Sequence, residues 1–288
     1  MHEAKIAEKE NTVELIKNKE YFVGIDSDGT VFDSMKIKHT DSFIPAAIEI
    51  FDLRNCEEMY KEAAERINLY SDKRGINRFP GLLLALLEMK EKGLWNDDVE
   101  ELAKYVDSGY ALSNIGLEQW LEDHPSDFML KVLAWSKLGD LYFEKYTQNI
   151  QPFYGVTSAI KYMNKTSDIM VVSAASGAGL QKDWGNTGLL DDISFVAGQE
   201  FGNKARQLAY ARNYGYKSNN MLMIGDAPGD YDAAKEVGAW FYPIIPGQES
   251  KCWKNLHEVY YEQFISNKYD EALESSLYRN FLDVLTKK

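Results

Sequence analysis

Cysteine occurs only twice in the 288 residues, at Cys56 and Cys252, too few for a disulfide framework. The simplest reading is two reduced thiols in a cytosolic protein. Long apolar runs are missing as well. The longest notable one, "LLLALL" at Leu82 to Leu87, falls far short of the roughly 20 residues a membrane-spanning helix needs. The N-terminal stretch "MHEAKIAEKENTVELIKNKE" is charged throughout, carries no export signal and is expected to form a short amphipathic helix or a frayed extension. Cations are the third shortage. Lys and Arg number 32 against 45 Asp and Glu, a formal net charge of -13, which argues against nucleic acid or an anionic membrane as a partner. An acidic protein can still bind an anion through a local cluster of cationic groups or a metal. The expectation is a cytoplasmic protein, monomeric or homodimeric.

What is present is an ordinary globular balance, 45 % hydrophobic and 27 % charged, in a chain long enough for one large domain or two modest ones. Five short apolar runs have strand character: Tyr21 to Asp26, Asp168 to Ser173, Ser194 to Gly198, Met221 to Asp226 and Trp240 to Ile245. Helical patterns ending at Gly215 and Gly238 separate the later ones, each closed by a glycine suited to the position after a helix. Unbroken apolar strands alternating with helices predict an α/β fold, a parallel sheet covered on both faces. Between the first and second strands the pattern is helical throughout. A crossover needs only a dozen or so residues. The extra hundred or so predict an inserted all-α domain over 36–148, with 1–35 and 149–288 forming the discontinuous core. No internal repeat or low-complexity segment is evident. The tail after Gly247 reads as one or two amphipathic helices that pack on the core or serve a dimer contact.

In an open parallel sheet, ligands sit beyond the carboxyl ends of the strands. The first strand delivers Asp26 and Asp28, two residues apart and so on the same side, in "YFVGIDSDGTVFDS". The second delivers Ser173, the loop after the third reaches Lys204, and the fourth delivers Asp226, with Asp230 four residues on. Singly, Ser173 and Asp230 are common helix caps and Lys204 a solvated lysine. Together, four carboxylates, one hydroxyl and one lysine meet at one edge. Clustered acids suit Mg²⁺, which prefers oxygen ligands. A carboxylate can attack phosphorus, a second can move the proton, and cations can neutralise the transferred group.

These residues resemble the motifs of the haloacid dehalogenase (HAD) superfamily. "GIDSDGTVFDS" is similar to its first motif, "MVVS" to its second, Lys204 to its third and "MIGDAPGDYDAA" to its fourth. The resemblance implies a Rossmann-like core with strand order 5-4-1-2-3 and a helical cap inserted after the first motif. It implies Asp26 as nucleophile and Asp28 as general acid/base. Ser173, the Ala174 backbone amide and Lys204 would contact the phosphoryl group. Mg²⁺ would be held by the Asp26 side chain, the Asp28 carbonyl and Asp226, with Asp230 a ligand or a partner of Lys204. An acid at Asp28 favours phosphatase or phosphomutase chemistry, most simply a phosphatase acting on a small phosphorylated metabolite. Lys38 and His39, near where many members carry a histidine, receive no role.

Other readings stay open: a phosphomutase, a phosphonate C–P hydrolase using a cap lysine (Lys38, Lys61 or Lys73), or a non-catalytic phosphoryl sensor. The run "DKRGINR" at Asp72 to Arg78 is the most basic short segment of the insert. It is either a solvated loop or a source of substrate contacts, in which case Arg74 and Arg78 would hold the distal polar or anionic part.

Overall fold

Each of the five apolar runs forms a strand in the computed structural model, which describes residues 15–147 and 150–286. The strands are β1 (Tyr21–Ile25), β2 (Ser167–Val172), β3 (Phe195–Ala197), β4 (Met221–Gly225) and β5 (Trp240–Pro243). All pair in parallel in the order β3-β2-β1-β4-β5, the expected order read from the other edge. β1 is central, with Ile25 level with Val171 of β2 and Ile224 of β4. The carboxyl ends of three strands therefore lie within one residue of each other, and whatever follows them shares one edge.

Strand alternation sorts the apolar side chains into two cores. Val23, Ile25, Ile169, Val171, Leu222 and Ile224 face one layer. Phe22, Met170, Val172, Met221, Met223 and Phe241 face the other. Burial on both faces explains why these strands read as continuous apolar runs rather than alternating ones.

The segment between β1 and β2 contributes only helices among the described residues. A π-helical stretch at Ile37–Phe43 leads into α1 (Ile44–Ile50), α2 (Glu57–Leu69), α3 (Arg78–Glu91), α4 (Glu100–Val106), α5 (Asn114–Asp123) and the long α6 (Asp127–Tyr146). The starts of α3, α5 and α6 are set by side chains of Asn77, Ser113 and Ser126, which accept from backbone N–H groups of the first turn. Their apolar faces form a third core running from Phe43 to Trp135, with Phe79, Leu86, Met89 and Leu102 fully buried.

The sheet is flanked by α7 (Val156–Met163), α8 (Gly177–Gly185), α9 (Lys204–Asn213) and α10 (Pro228–Val237). The tail forms α11 (Glu249–Asn255), α12 (Tyr261–Ile265) and α13 (Glu271–Leu285). It packs on the core: Trp253, Tyr261, Phe264 and Phe281 are buried, each contributing roughly 1.5–3 kcal/mol of hydrophobic stabilisation or more. Glu274 of α13 accepts from Lys235 Nζ at 2.6 Å and from the Phe241 amide at 2.7 Å, tying the helix to the sheet edge. The N-terminal helix expected from the sequence falls mainly outside the described residues. Leu15, the first described residue, is buried in the core with Phe22. Both cysteines are buried and free, and no described helix is long and apolar enough to cross a membrane.

Candidate active site

The β1 strand ends at Ile25, and Asp26 remains in register with β4 through its amide, which donates to the Ile224 carbonyl at 3.0 Å. The loop that follows is held from behind by two indoles. Trp184 Nε1 donates to the Ser27 hydroxyl at 3.0 Å and Trp253 Nε1 to the Thr30 carbonyl at 2.8 Å. Gly29 takes φ +74, and a Cβ there would come within 2.1 Å of Asp226 Oδ2. Only glycine meets both demands.

Beyond the strand ends, oxygens of Asp26, Asp226 and Asp230 lie within 4.8 Å of one another, and all three side chains are buried. Lys204, the first residue of α9, bridges two of them, 2.9 Å from Asp26 Oδ1 and 2.5 Å from Asp230 Oδ1. Burial works against its charge, but Asp230 and Asp26 more than offset that, so its pKa lies above the ordinary lysine value. Burial also pushes the Asp26 carboxyl well above the usual range, opposed by Lys204 and reinforced by Asp230 and Asp226. Asp230 Oδ2 accepts from the Ala227 amide at 3.1 Å, so the residue caps α10 and partners Lys204 at once.

Asp28 lines the same cleft but stands apart from this trio. Its carboxylate accepts from the Ser34 hydroxyl at 2.5 Å and from Lys38 Nζ at 2.7 Å. Burial would raise its pKa; Lys38, by charge and hydrogen bond, and Ser34 outweigh burial and hold it below the usual carboxylate value. Ser173 is buried at the end of β2, and its hydroxyl accepts from the Ala175 amide at 3.2 Å. Its carbonyl is fixed by Gln207 Nε2, which also donates to the Gly198 and Gly202 carbonyls, all at 2.9–3.0 Å. Gln207 thus holds the loops carrying Ser173 and Lys204.

The helical insert reaches this edge through Arg74. Its guanidinium is buried, 5 % exposed, with Nε 2.9 Å and Nη2 2.5 Å from Asp226 Oδ2. Nε also donates to the Asp226 carbonyl and Nη1 to the Leu69 carbonyl, both at 3.0 Å. Thr30 donates to the other carboxylate oxygen of Asp226 at 3.2 Å. Gly75, φ +76, permits the docking, since a Cβ there would lie 2.7 Å from the Ala227 Cβ. Arg78 takes a different partner, Asp140 of α6, and lies over the rings of Phe43 and Phe79. Lys61 and Lys73 pair with Glu57 and Asp72 and do not line the cleft.

The cleft has a volume of about 470 Å³. Its floor holds Asp26, Asp28, Ser173, Ala174, Lys204 and Asp226, and its far wall comes from the insert, including Phe43, Arg78, Asn114, Asp140 and Phe143. His39 also lines it, but burial and the neighbouring Lys38 and Arg74 lower its pKa to about 3, so it is neutral. Asp183 of α8 faces the cleft with its pKa raised to about 6 by burial and by Asp28.

The donor set fits a hard divalent cation: three buried carboxylates in one cluster, with Lys204 and Arg74 as the cations already on them. Asp26, Asp226 and Asp230 have oxygens able to hold such an ion. Arg74 stands on one of them, so ion and guanidinium share the Asp226 carboxylate or exclude each other. The sequence pattern drew attention to Asp26, Asp28, Ser173, Lys204, Asp226 and Asp230, and the fold brings all six to one edge. It gave no sign of the Arg74–Asp226 pair or of Gln207. Lys38 was in view without a role.

The fold and this acidic edge define a class: a parallel sheet with a carboxylate cluster beyond the ends of its central strands and a helical insert above. In sequence, neither a family profile nor a curated protein matches the chain. Solved structures do match in shape. A predicted phosphoglycolate phosphatase from Haemophilus somnus aligns over 82% of this chain and 93% of its own, at 14% identity and TM-score 0.50. A haloacid dehalogenase-like family hydrolase from Streptococcus pneumoniae aligns over 81% and 90%, at 14% identity and TM-score 0.44. The defluorinating L-2-haloacid dehalogenase Rha0230 aligns over 80% and 82%, at 13% identity and TM-score 0.40. The chain has the haloacid dehalogenase-like fold.

Proposed function

We propose that this chain is a Mg²⁺-dependent phosphatase of the haloacid dehalogenase type, hydrolysing a small phosphorylated metabolite through an aspartyl phosphate on Asp26. One observation carries the reading: Asp26, Asp226 and Asp230 cluster within 4.8 Å, Lys204 bridges Asp26 and Asp230, and Asp26, Asp226 and Lys204 line the floor of the cleft. Asp26 is the carboxylate that attacks phosphorus, and the alcohol leaves with a proton from Asp28. Water then attacks the acyl phosphate and returns its proton to Asp28, restoring both residues. Lys204, 2.9 Å from the nucleophile, sits where the phosphoryl oxygens must come. The Ser173 hydroxyl and the Ala174 amide complete the anion site. Asp26, Asp226 and Asp230, with the Asp28 carbonyl, would hold Mg²⁺, which when bound neutralises phosphoryl charge.

Lys38 favours the ionised form of Asp28, the form that takes the proton from water. The proton that Asp28 gives the leaving alcohol is the one kept from the previous water attack or, in the first turnover, taken from the monoanionic ester. The engagement of Lys38 with Asp28 favours hydrolysis over Schiff-base chemistry at this lysine. The working form we infer is a cytoplasmic monomer or homodimer acting on small molecules, with neither nucleic acid nor membrane as partner. The test is phosphate release from a panel of metabolite monoesters by metal-stripped protein with and without Mg²⁺. Release should require Mg²⁺ and vanish in Asp26→Asn. Undiminished turnover in chelator would remove the mechanism.

A further inference from the structure

The charges lining the cleft carry information about the leaving group. Its cations are Lys38, Arg78 and Lys204, since His39 is neutral there. Lys204 is matched by Asp26 and Asp230, and Lys38 by Asp28. Arg78 is matched by Asp140 and sandwiched against Phe43 and Phe79. The Asp140 carboxylate is itself pinned, because Asn114 Nδ2 donates to it at 2.8 Å while the buried Ser136 hydroxyl donates to Asn114 Oδ1 at 2.6 Å. This network keeps Arg78 from turning towards a ligand. Asp183 faces the cleft without a salt-bridge partner among the described residues.

Beyond the phosphoryl site the described residues of the cleft therefore offer carboxylate oxygens and no unpaired cation. A second anion on the substrate would lie beside Asp140 and Asp183 with no unpaired cation among the described lining residues to pair it, whereas hydroxyl or ammonium donors would find acceptors. We propose, building on the phosphatase reading, that the substrate is a phosphate monoester of a neutral or amino alcohol, carrying hydrogen-bond donors and no second anionic group. Asp140 and Asp183 are then specificity residues that reject carboxylate-bearing and doubly phosphorylated esters. Asp140 of the insert and Asp183 of α8 supply selectivity through acids, reversing the role that the basic run of the insert suggests.

The experiment compares kcat/KM within matched series that differ only in the distal group. Hydroxyethyl phosphate, phosphoethanolamine and phosphoglycolate form the short series; a pentitol phosphate and the corresponding pentonate phosphate form the long one. The neutral and ammonium members should exceed the carboxylate members by about tenfold or more. Asp140→Asn, which leaves Arg78 without its counter-charge, should raise kcat/KM on the carboxylate members and narrow the ratio at least fivefold. Asp183→Asn should narrow it too, and serves where the Asp140 variant fails to fold. A preference for the carboxylate members, or a ratio that neither variant moves, overturns the proposal while leaving a working phosphatase. Absence of phosphate release from every ester, phenyl phosphate included, would instead overturn the phosphatase reading and this inference with it.

Discussion

Replacing Arg74 by methionine removes the guanidinium while keeping much of the side-chain length. Four hydrogen bonds go with it: two to Asp226 Oδ2, one to the Asp226 carbonyl and one to the Leu69 carbonyl. Asp226 is 1 % exposed and would retain only the Thr30 hydroxyl on its other oxygen. Removing one partner of a buried ion pair costs about 3–5 kcal/mol, because the remaining charge stays out of water. At roughly 2–4 °C per kcal/mol, Tm in EDTA should fall by about 6–20 °C. A divalent cation that binds the vacated carboxylate should restore much of this; a concentration a hundredfold above Kd adds about 2.7 kcal/mol. The assay is thermal unfolding of both proteins in EDTA and across a Mg²⁺ titration. Mg²⁺ should raise Tm more in the variant, and calorimetry should find it bound more tightly. A variant whose Tm in EDTA lies within about 2 °C of the parent would refute the argument that Arg74 is the counter-ion of Asp226.

Lys38→Met should let burial dominate at Asp28 and raise its pKa, so the alkaline limb of kcat/KM, which reports the step where Asp28 gives its proton, should shift to higher pH; an unmoved limb would mean that Lys38 does not set this group. His39, buried with a pKa lowered to about 3, is neutral in the folded chain while the unfolded chain takes up a proton near pH 6.5. Stability is thus full above pH 6.5 and declines as pH falls from there towards 3, by up to about 1.4 kcal/mol per pH unit. His39→Gln should flatten that part of the profile, and NMR should find that the His39 imidazole does not titrate between pH 5 and 8.

Much of the site could be read from the chain because its residues follow strand ends. Asp26, Ser173 and Asp226 each come immediately after an apolar run, and parallel pairing levels those ends without help from distant sequence. Lys204 was legible as the lysine reached by the loop after the third strand. Arg74 was not: it lies 152 positions from Asp226, and their meeting depends on how the 70–77 loop docks, which Gly75 permits and no periodicity reveals. The basic run "DKRGINR" gave no sign of this pairing: Arg74 is buried on Asp226, while Arg78 lines the cleft paired with Asp140. Lys38 reaches Asp28 through a turn that continues into the π-helical stretch, a geometry with no simple sequence period. The two indoles behind the first loop likewise come from 157 and 223 residues away.

In the proposed cycle Asp26 is the residue that becomes phosphorylated. Asp28→Asn can still pass a phosphoryl group from a good leaving group to Asp26 but lacks the base that activates water for its removal. Incubated with an aryl phosphate and Mg²⁺, this variant should gain the mass of one phosphoryl group, and peptide mapping after borohydride reduction should place it on Asp26. The double variant lacking Asp26 should gain nothing. A phosphoryl group on any other residue, or phosphate release at the parent rate with no trapped intermediate, would contradict the account.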